Sequence, residues 1–208
     1  MQRTRVGILV FDDVEVLDFC GPYEVFCATR LDESRRREEP SPFETLLVAE
    51  DRDHITASGG MRVLPDHTLD DCPPLGLLVV PGGWGVRAEL SNRRLLDWLP
   101  ARAREVETLA SVCTGAMLLG KAGLLDGRRA TTHRRSLDWI QESFPRVTVE
   151  RGLRVVDEGD VITSAGISAG IDLALTLVAR YCGEEVSRST ARHMEYPYPE
   201  SYARRVPT

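Results

Sequence analysis

The fold and the chemistry of this chain both centre on one segment, Ala110-Ser111-Val112-Cys113-Thr114-Gly115-Ala116. The apolar and β-branched run over residues 106–112 predicts a short buried strand that ends at Cys113. Residues 114–119 predict the first turns of a helix. A cysteine at a strand-to-helix turn has the position of a nucleophile elbow. The N–H groups and the dipole of the helix favour a thiolate there, so we take Cys113 as the candidate nucleophile. The alternative is a small buried core cysteine.

Outward from this segment, strand patterns and helix patterns alternate along most of the chain. Short apolar runs predict strands at 6–11, 43–49, 61–64, 77–80, 129–132, 147–149, 153–156 and 161–163. Helical patterns occupy 23–30, 92–104, 136–143, 169–182 and 184–193. The segment 14–22 predicts a loop, with Pro22 suited to the first turn of the helix that follows. This alternation is typical of an α/β protein with a mainly parallel sheet and helices on both faces.

Length and composition limit the classes of protein that the chain can represent. Its 208 residues, 42% hydrophobic and 28% charged, predict a single domain over 1–208, with an irregular, proline-containing tail from about residue 196. No apolar run approaches the ~20 residues of a membrane span, and no signal peptide precedes the first strand. The net charge of −6 argues against nucleic acid as a general partner. Five cysteines without a CxxC pair do not suggest a disulfide framework or a metal site, and we expect a cytoplasmic protein.

The candidate site residues lie in four segments, each at or after the end of a predicted strand. They hold Asp18, Gly82-Gly83, Cys113-Thr114 and Thr132-His133. In parallel α/β sheets, sites form beyond the carboxyl ends of the strands, so these segments predict one shared site. The backbone N–H groups of Gly82 and Gly83 would hold a developing negative charge, with the N–H of Thr114 as the other half of an oxyanion-type site. The alternative for the glycines is a plain turn.

Asp18 and His133 are the candidate partners of the cysteine. Asp18 lies between Leu17 and Phe19, and an apolar setting raises the pKa of a carboxyl, which could then exchange a proton with sulfur, substrate or water. It could instead cap the following helix. His133 could serve Cys113 as a base or merely cap a turn. The small-residue segment 164–172 predicts either a pocket wall or close packing of a strand on a helix.

These segments, in this order, resemble the ThiJ/PfpI superfamily, which has the class I glutamine amidotransferase-like fold. The resemblance rests on Leu17-Asp18-Phe19-Cys20-Gly21-Pro22-Tyr23-Glu24-Val25-Phe26, Val80-Pro81-Gly82-Gly83, Ser111-Val112-Cys113-Thr114-Gly115-Ala116, Ala130-Thr131-Thr132-His133 and Ile162-Thr163-Ser164-Ala165-Gly166-Ile167-Ser168-Ala169-Gly170-Ile171-Asp172. It extends from Val6 to about Tyr196. It implies a flavodoxin-like three-layer sandwich, an elbow cysteine at Cys113 and a homodimer.

Two positions depart from the commonest pattern of the superfamily. Many members have Glu in the first loop and His directly after the cysteine, where this chain has Asp18 and Thr114. The missing His argues against a peptidase-like pair, and the missing Glu argues against glyoxalase, deglycase and oxidation-sensor functions. Asp18 with Cys113-Thr114 resembles the isonitrile hydratase-like branch and the N-terminal halves of some AraC-type activators. Those activators continue into a helix-turn-helix domain, for which this chain leaves no room, so we expect a stand-alone protein.

The resemblance implies a cofactor-independent, cysteine-dependent hydratase (a lyase) or hydrolase that acts on a small molecule. In this hypothesis Cys113 attacks the terminal carbon of an isonitrile, and water releases an N-substituted formamide. Asp18 would supply a proton or position the water, while Thr114 and Gly83 would support the covalent intermediate. One alternative is a glyoxalase- or deglycase-like activity on reactive carbonyls. The other is a protein related to transcription regulators that binds a ligand or registers oxidation at Cys113.

Overall fold

The computed structural model describes residues 3–200. Its strands are β1 (Thr4–Leu9), β2 (Phe43–Ala49), β3 (Ile55–Thr56), β4 (Arg62–Val63), β5 (His67–Thr68), β6 (Leu77–Val80), β7 (Thr108–Val112), β8 (Arg129–Ala130), β9 (Thr148–Val149), β10 (Val155–Asp157) and β11 (Val161–Ser164). Its helices are α1 (Val16–Ala28), α2 (Val86–Glu89), α3 (Arg93–Ala103), α4 (Gly115–Lys121), α5 (Leu137–Ser143), α6 (Ala169–Cys182) and α7 (Glu184–His193). Short 3₁₀ turns lie at Glu33–Arg35, Ser58–Gly60 and Arg134–Ser136.

A seven-stranded sheet forms the centre of the molecule, in the order β10-β11-β7-β6-β1-β2-β5. Every neighbouring pair is parallel except β10 and β11. Strands β6 and β7 are buried along their whole length, which explains why both appear in the sequence as continuous runs with few polar residues. The pairs β3–β4 and β8–β9 form two small additional sheets.

Helices cover both faces of this sheet and complete a three-layer sandwich. Helices α1, α6 and α7 pack together on one face, while α2 and α3 pack with α4 on the other. The bounds of α6 agree with the apolar pattern over 169–182, and most of its side chains are buried. The predicted flavodoxin-like α/β architecture is therefore confirmed.

The first helix begins earlier than the sequence predicts. The expected loop over 14–22 ends at Glu15, so Asp18 lies in the first turn of α1 and Pro22 lies inside the helix. A proline inside a helix has no N–H to donate to the carbonyl four residues earlier, which here belongs to Asp18. The helix continues through Pro22 because α1 is packed against β2 and α6. Tertiary packing has outweighed the local proline signal.

The charged segment over residues 31–42 is mostly exposed and carries ion pairs such as Arg35–Glu39. Irregular chain follows α7 up to residue 200. Residues 1–2 and 201–208, with the last proline of that tail, lie outside the described residues. Between residues 3 and 200, none of the helices has the length and apolar character needed to cross a membrane.

Candidate active site

Cys113 occupies the turn between β7 and α4, as the sequence predicts. Its φ is +56°, in the left-handed region that non-glycine residues rarely adopt. Such strain costs about 1–3 kcal/mol and persists where the surrounding structure imposes it. Here the Cys113 N–H donates to the carbonyls of Ser164 and Ala165, both at 3.2 Å. The Cys113 carbonyl accepts a hydrogen bond from Thr132 Oγ1 at 2.7 Å. These bonds tie the elbow to two other segments of the chain.

Gly115 allows the elbow to lie directly against the end of β6. A Cβ atom at this position would overlap the carbonyl oxygen of Val80. Only glycine permits so close an approach of two backbone segments. The approach brings Cys113 beside the turn that contains Gly82 and Gly83.

The carboxyl group of Asp18 reaches the sulfur of Cys113 from α1. Asp18 is fully buried, and the two side chains interact directly. Asp18 Oδ2 accepts the N–H of Gly82 at 3.0 Å. Among the described residues, its buried Oδ1 atom has no conventional hydrogen-bond partner. The alternative role as a helix cap does not apply, because Glu15 holds the N-cap position of α1 and no side chain caps that end.

Burial raises the pKa of the Asp18 carboxyl from its ordinary value of 3.8 to about 7. The hydrogen bond from Gly82 lowers this pKa, as do the interactions with the Cys113 thiol and the N–H of Ile167, while the charge of Glu15 adds to the rise. The apolar sequence around Asp18 predicts this direction. At neutral pH the carboxyl is therefore divided between its protonated and ionised forms.

Burial also raises the pKa of the Cys113 thiol, and the negative charge of Asp18 raises it further. The N–H groups of Thr114 and Ile167 lower the pKa of the thiol but do not outweigh these effects. The expectation of a thiolate stabilised by the helix N-terminus is therefore wrong for the resting site, because the cysteine is only 6% exposed and lies beside a carboxylate. The two groups titrate as a coupled pair that holds one proton above about pH 7.

The backbone of the glycine turn holds the side chains of the site in place. The N–H of Gly82 donates to Asp18, and the N–H of Gly83 donates to Thr114 Oγ1 at 3.0 Å. Thr114 Oγ1 also donates to the carbonyl of Gly83 at 3.3 Å. The expectation that both glycine N–H groups face a substrate needs correction, because each already has an acceptor within the protein. Of the three backbone N–H groups that the sequence predicts for the oxyanion-type site, only that of Thr114 faces the sulfur.

A second N–H group that faces the sulfur belongs to Ile167, which the sequence analysis did not single out. Ile167 has a φ of +56°, a genuine outlier for a β-branched residue. Its N–H contributes to the pKa of both Cys113 and Asp18. The small-residue segment 164–172 indicates a tight turn here, but a sequence pattern does not show which N–H turns toward the site.

His133 lies in the same cleft, but its imidazole is engaged elsewhere. A Cβ on Gly166 would overlap the ring, so the imidazole packs directly on that glycine. His133 Nδ1 accepts the N–H of Arg135 at 3.3 Å and so caps a 3₁₀ turn. Burial lowers the pKa of His133, and the charges of Arg134 and Arg135 lower it further. Of the two roles left open by the sequence, the geometry favours the cap.

A cleft of about 270 Å³ opens over the elbow. It is lined by Glu15, Gly83, Trp84, Arg87, Cys113, Thr114, His133, Arg135 and Ile167. This volume is below the usual range of ligand pockets and suits a small molecule. A larger cavity of about 570 Å³ lies around Arg154 and Arg180 and contains none of these residues. Within residues 3–200, no three His, Cys, Asp or Glu side chains cluster as metal ligands would, and all five cysteines are free thiols.

Comparisons with known proteins place this chain among proteins of one family. Residues 4–180 match the DJ-1/PfpI family. The chain is similar to isonitrile hydratase of Pseudomonas putida, with 35% identity over 92% of this chain and 78% of that protein. It is also similar to the HTH-type transcriptional regulator GbdR of Pseudomonas aeruginosa, with 31% identity over 92% of this chain but 50% of that protein. The crystal structure of a ThiJ/PfpI family protein from Pseudomonas syringae superposes with a TM-score of 0.83 at 30% identity, over 97% of this chain and 78% of that chain.

Proposed function

The chain belongs to the DJ-1/PfpI family, and from that premise we propose that it is a cysteine-dependent hydratase of small isonitriles. The observation that carries the proposal is the direct contact between the buried Asp18 carboxyl and the Cys113 sulfur at a strained elbow. Thr114 follows the cysteine, so no adjacent histidine competes with Asp18 as its partner. Similarity to the isonitrile hydratase of Pseudomonas putida supports the choice of substrate.

The first half of the reaction uses the proton that Asp18 and Cys113 share. In the one-proton state, the Asp18 carboxylate takes the thiol proton while the sulfur attacks the terminal isonitrile carbon. Asp18 then gives this proton to the same carbon. The product is a thioimidate, in which the carbon is bound to sulfur and hydrogen and is doubly bound to nitrogen. The N–H groups of Thr114 and Ile167 stabilise negative charge on the sulfur during the attack.

The second half of the reaction adds water and frees the enzyme. Asp18 accepts a proton from the water as the water oxygen bonds to the thioimidate carbon, and Asp18 then gives this proton to the nitrogen. The carbon–sulfur bond then breaks, the hydroxyl proton returns to the sulfur, and the carbon becomes a formyl group. The sum is one isonitrile and one water converted to one N-substituted formamide, without another reactant.

Cyclohexyl isocyanide hydration tests the nucleophile. We expect wild type and Cys182→Ala to form the formamide, since Cys182 is half-buried and lies outside the cleft. We expect Cys113→Ala to show only the rate measured without protein. Rapid quenching and intact-mass measurement of the wild type should show the covalent adduct on Cys113. Undiminished turnover by Cys113→Ala would remove this residue from the mechanism.

Asp18→Asn tests the proton carrier. The amide oxygen of asparagine preserves an acceptor for the N–H of Gly82, but the side chain no longer carries the exchangeable proton. General acid–base catalysis contributes about 10²–10⁴-fold, so kcat should fall by roughly that factor. A variant that retains the full kcat would show that Asp18 does not move the proton.

Ligand binding without turnover is a second candidate, because the resting thiol is buried and has a raised pKa. Similarity to the regulator GbdR over 92% of this chain supports it. Binding of an isonitrile to the wild type without formamide production would favour this function.

Lactate formation from methylglyoxal would instead favour a glyoxalase-like activity, with Asp18 in the role that Glu has elsewhere in the superfamily. Oxidation of Cys113 ahead of the four other cysteines by mild peroxide would favour a sensor.

A further inference from the structure

The cleft over Cys113 carries two arginine side chains, Arg87 and Arg135, that form no ion pair with a carboxylate among the described residues. Many arginines elsewhere in the chain do form such pairs, for example Arg94, Arg128 and Arg188. The chain as a whole has a net charge of −6, whereas the wall of this cleft contains two arginines and one carboxylate, Glu15. An unpaired guanidinium in a pocket wall has its donors available to a ligand.

Arg87 is held in place by Trp84 at the wall of the cleft. Its guanidinium carbon lies 3.9 Å from the centroid of the Trp84 ring. Stacking of this kind fixes the plane of the guanidinium while its N–H edges stay free to donate. The Trp84 ring is 68% exposed, so the stack lies where an entering molecule meets the cleft.

Arg135 enters the cleft from the turn capped by His133. Its positive charge, with that of Arg134, acts on His133 and lowers the pKa of that imidazole. The positive potential therefore extends into the cleft. Glu15 is the opposing charge in the wall, and its Oε1 atom accepts the hydroxyl of Ser58 at 3.3 Å. Two arginines and one carboxylate therefore line this cleft.

We infer that the substrate of this cleft carries a carboxylate, which Arg87 and Arg135 bind while the reacting carbon faces Cys113. Guanidinium groups recognise carboxylates through paired, charge-assisted N–H donors, and the small cleft limits the distance between the two ends of the substrate. The inference deepens the proposed function and rests on it for the reacting group. Its anion-binding part concerns residues that take no part in the proton transfer.

The decisive experiment compares isocyanoacetate with its neutral methyl ester. We expect the wild type to have a higher kcat/KM for the acid than for the ester. Arg87→Gln and Arg135→Gln should each lower the acid-to-ester ratio by about tenfold, which corresponds to about 1.4 kcal/mol. Arg104→Gln is the matched control, because Arg104 is exposed, lies outside the cleft and has no carboxylate partner among the described residues; it should leave the ratio unchanged. An unchanged ratio in both cleft variants would overturn the inference.

A binding measurement separates this inference from the proposed function. If the wild type hydrates neither isonitrile, the proposed function fails, and titration calorimetry with N-formylglycine and its methyl ester then tests the anion site. Wild type should bind the acid at least about tenfold more tightly than the ester, and both cleft variants should lose that preference. Equal affinities, or no binding of the acid, would contradict the inference.

Discussion

Asp18→Asn should remove a pH-dependent loss of stability that burial of this carboxyl causes. The carboxyl has an ordinary pKa of 3.8 and a pKa of about 7 in the folded protein. Between these values the folded state binds more protons than the unfolded state, so stability falls as the pH rises through that window. A difference of about 3 pKa units, at 1.36 kcal/mol each, corresponds to about 4 kcal/mol. Asparagine does not titrate and should not show this loss.

The measurement is urea unfolding of wild type and Asp18→Asn at intervals from about pH 4 to pH 8, followed by circular dichroism. The free energy of unfolding of the wild type, minus that of the variant, should fall by about 4 kcal/mol over this range. Asp32→Asn supplies the matched control. The Asp32 carboxyl is exposed, and hydrogen bonds from Ser34 lower its pKa. The stabilisation of the folded state by this carboxylate is therefore lost only at low pH, and the free energy that it contributes should stay constant between about pH 5 and 8.

A wild-type-minus-variant difference that stays constant from pH 4 to pH 8 would refute the reasoning, because it would mean that the Asp18 carboxyl ionises at its ordinary pKa. The same comparison in a Cys113→Ala background gives a second check. Burial is the largest cause of the raised pKa of Asp18, and the interaction with the Cys113 thiol lowers that pKa, so the whole effect should persist without the thiol. Loss of the whole effect would assign it to the sulfur instead.

Three further predictions concern catalysis and stability. The kcat/KM for a neutral isonitrile should rise with pH and level off above about 7, because the carboxyl must lose its proton before it can accept one; a profile flat from about pH 5 to 9 would contradict this. Arg154→Ala should lower the free energy of unfolding by about 3–5 kcal/mol, since it removes the guanidinium that neutralises the buried Asp172 carboxylate. Arg146→Ala, at an exposed ion pair, should cost less than about 1 kcal/mol by the same urea assay. Gly115→Ala should cost about 1–3 kcal/mol, because the added methyl group overlaps the carbonyl oxygen of Val80; a variant as stable as wild type would contradict the close approach.

The regular elements with strong hydrophobic patterns were predictable from the sequence. The bounds of β2, β6 and α6 agree with those that the patterns indicate. These elements bury a continuous run or one face, so local periodicity and burial favour the same structure. Helix α1 differs because Pro22 is a local signal against a helix interior, whereas the packing of α1 against β2 and α6 is a nonlocal property.

The sequence predicts Asp18, Cys113 and Thr114 as members of the site, but it predicts neither Ile167 nor the interactions between these residues. A strand followed by a cysteine and small residues predicts an elbow, and the structure places Cys113 there with a φ of +56°. The rise in the pKa of the Cys113 thiol was not predictable, because burial and a carboxylate from α1 act on the sulfur more strongly than the N–H groups around it. The engagement of the Gly82 and Gly83 N–H groups likewise depends on side chains distant in sequence.

The sequence by itself determined the α/β class, the elbow at Cys113 and the apolar setting of Asp18, because these depend on residue types within a few positions of one another. Only the tertiary structure decided that Asp18 contacts the sulfur, that the N–H of Ile167 faces it, and that two guanidinium groups line its cleft. Each of these arrangements depends on contacts between segments that are far apart along the chain. The parallel sheet brings such segments to one edge, and the protonation of the Asp18–Cys113 pair follows from how deeply that edge is buried.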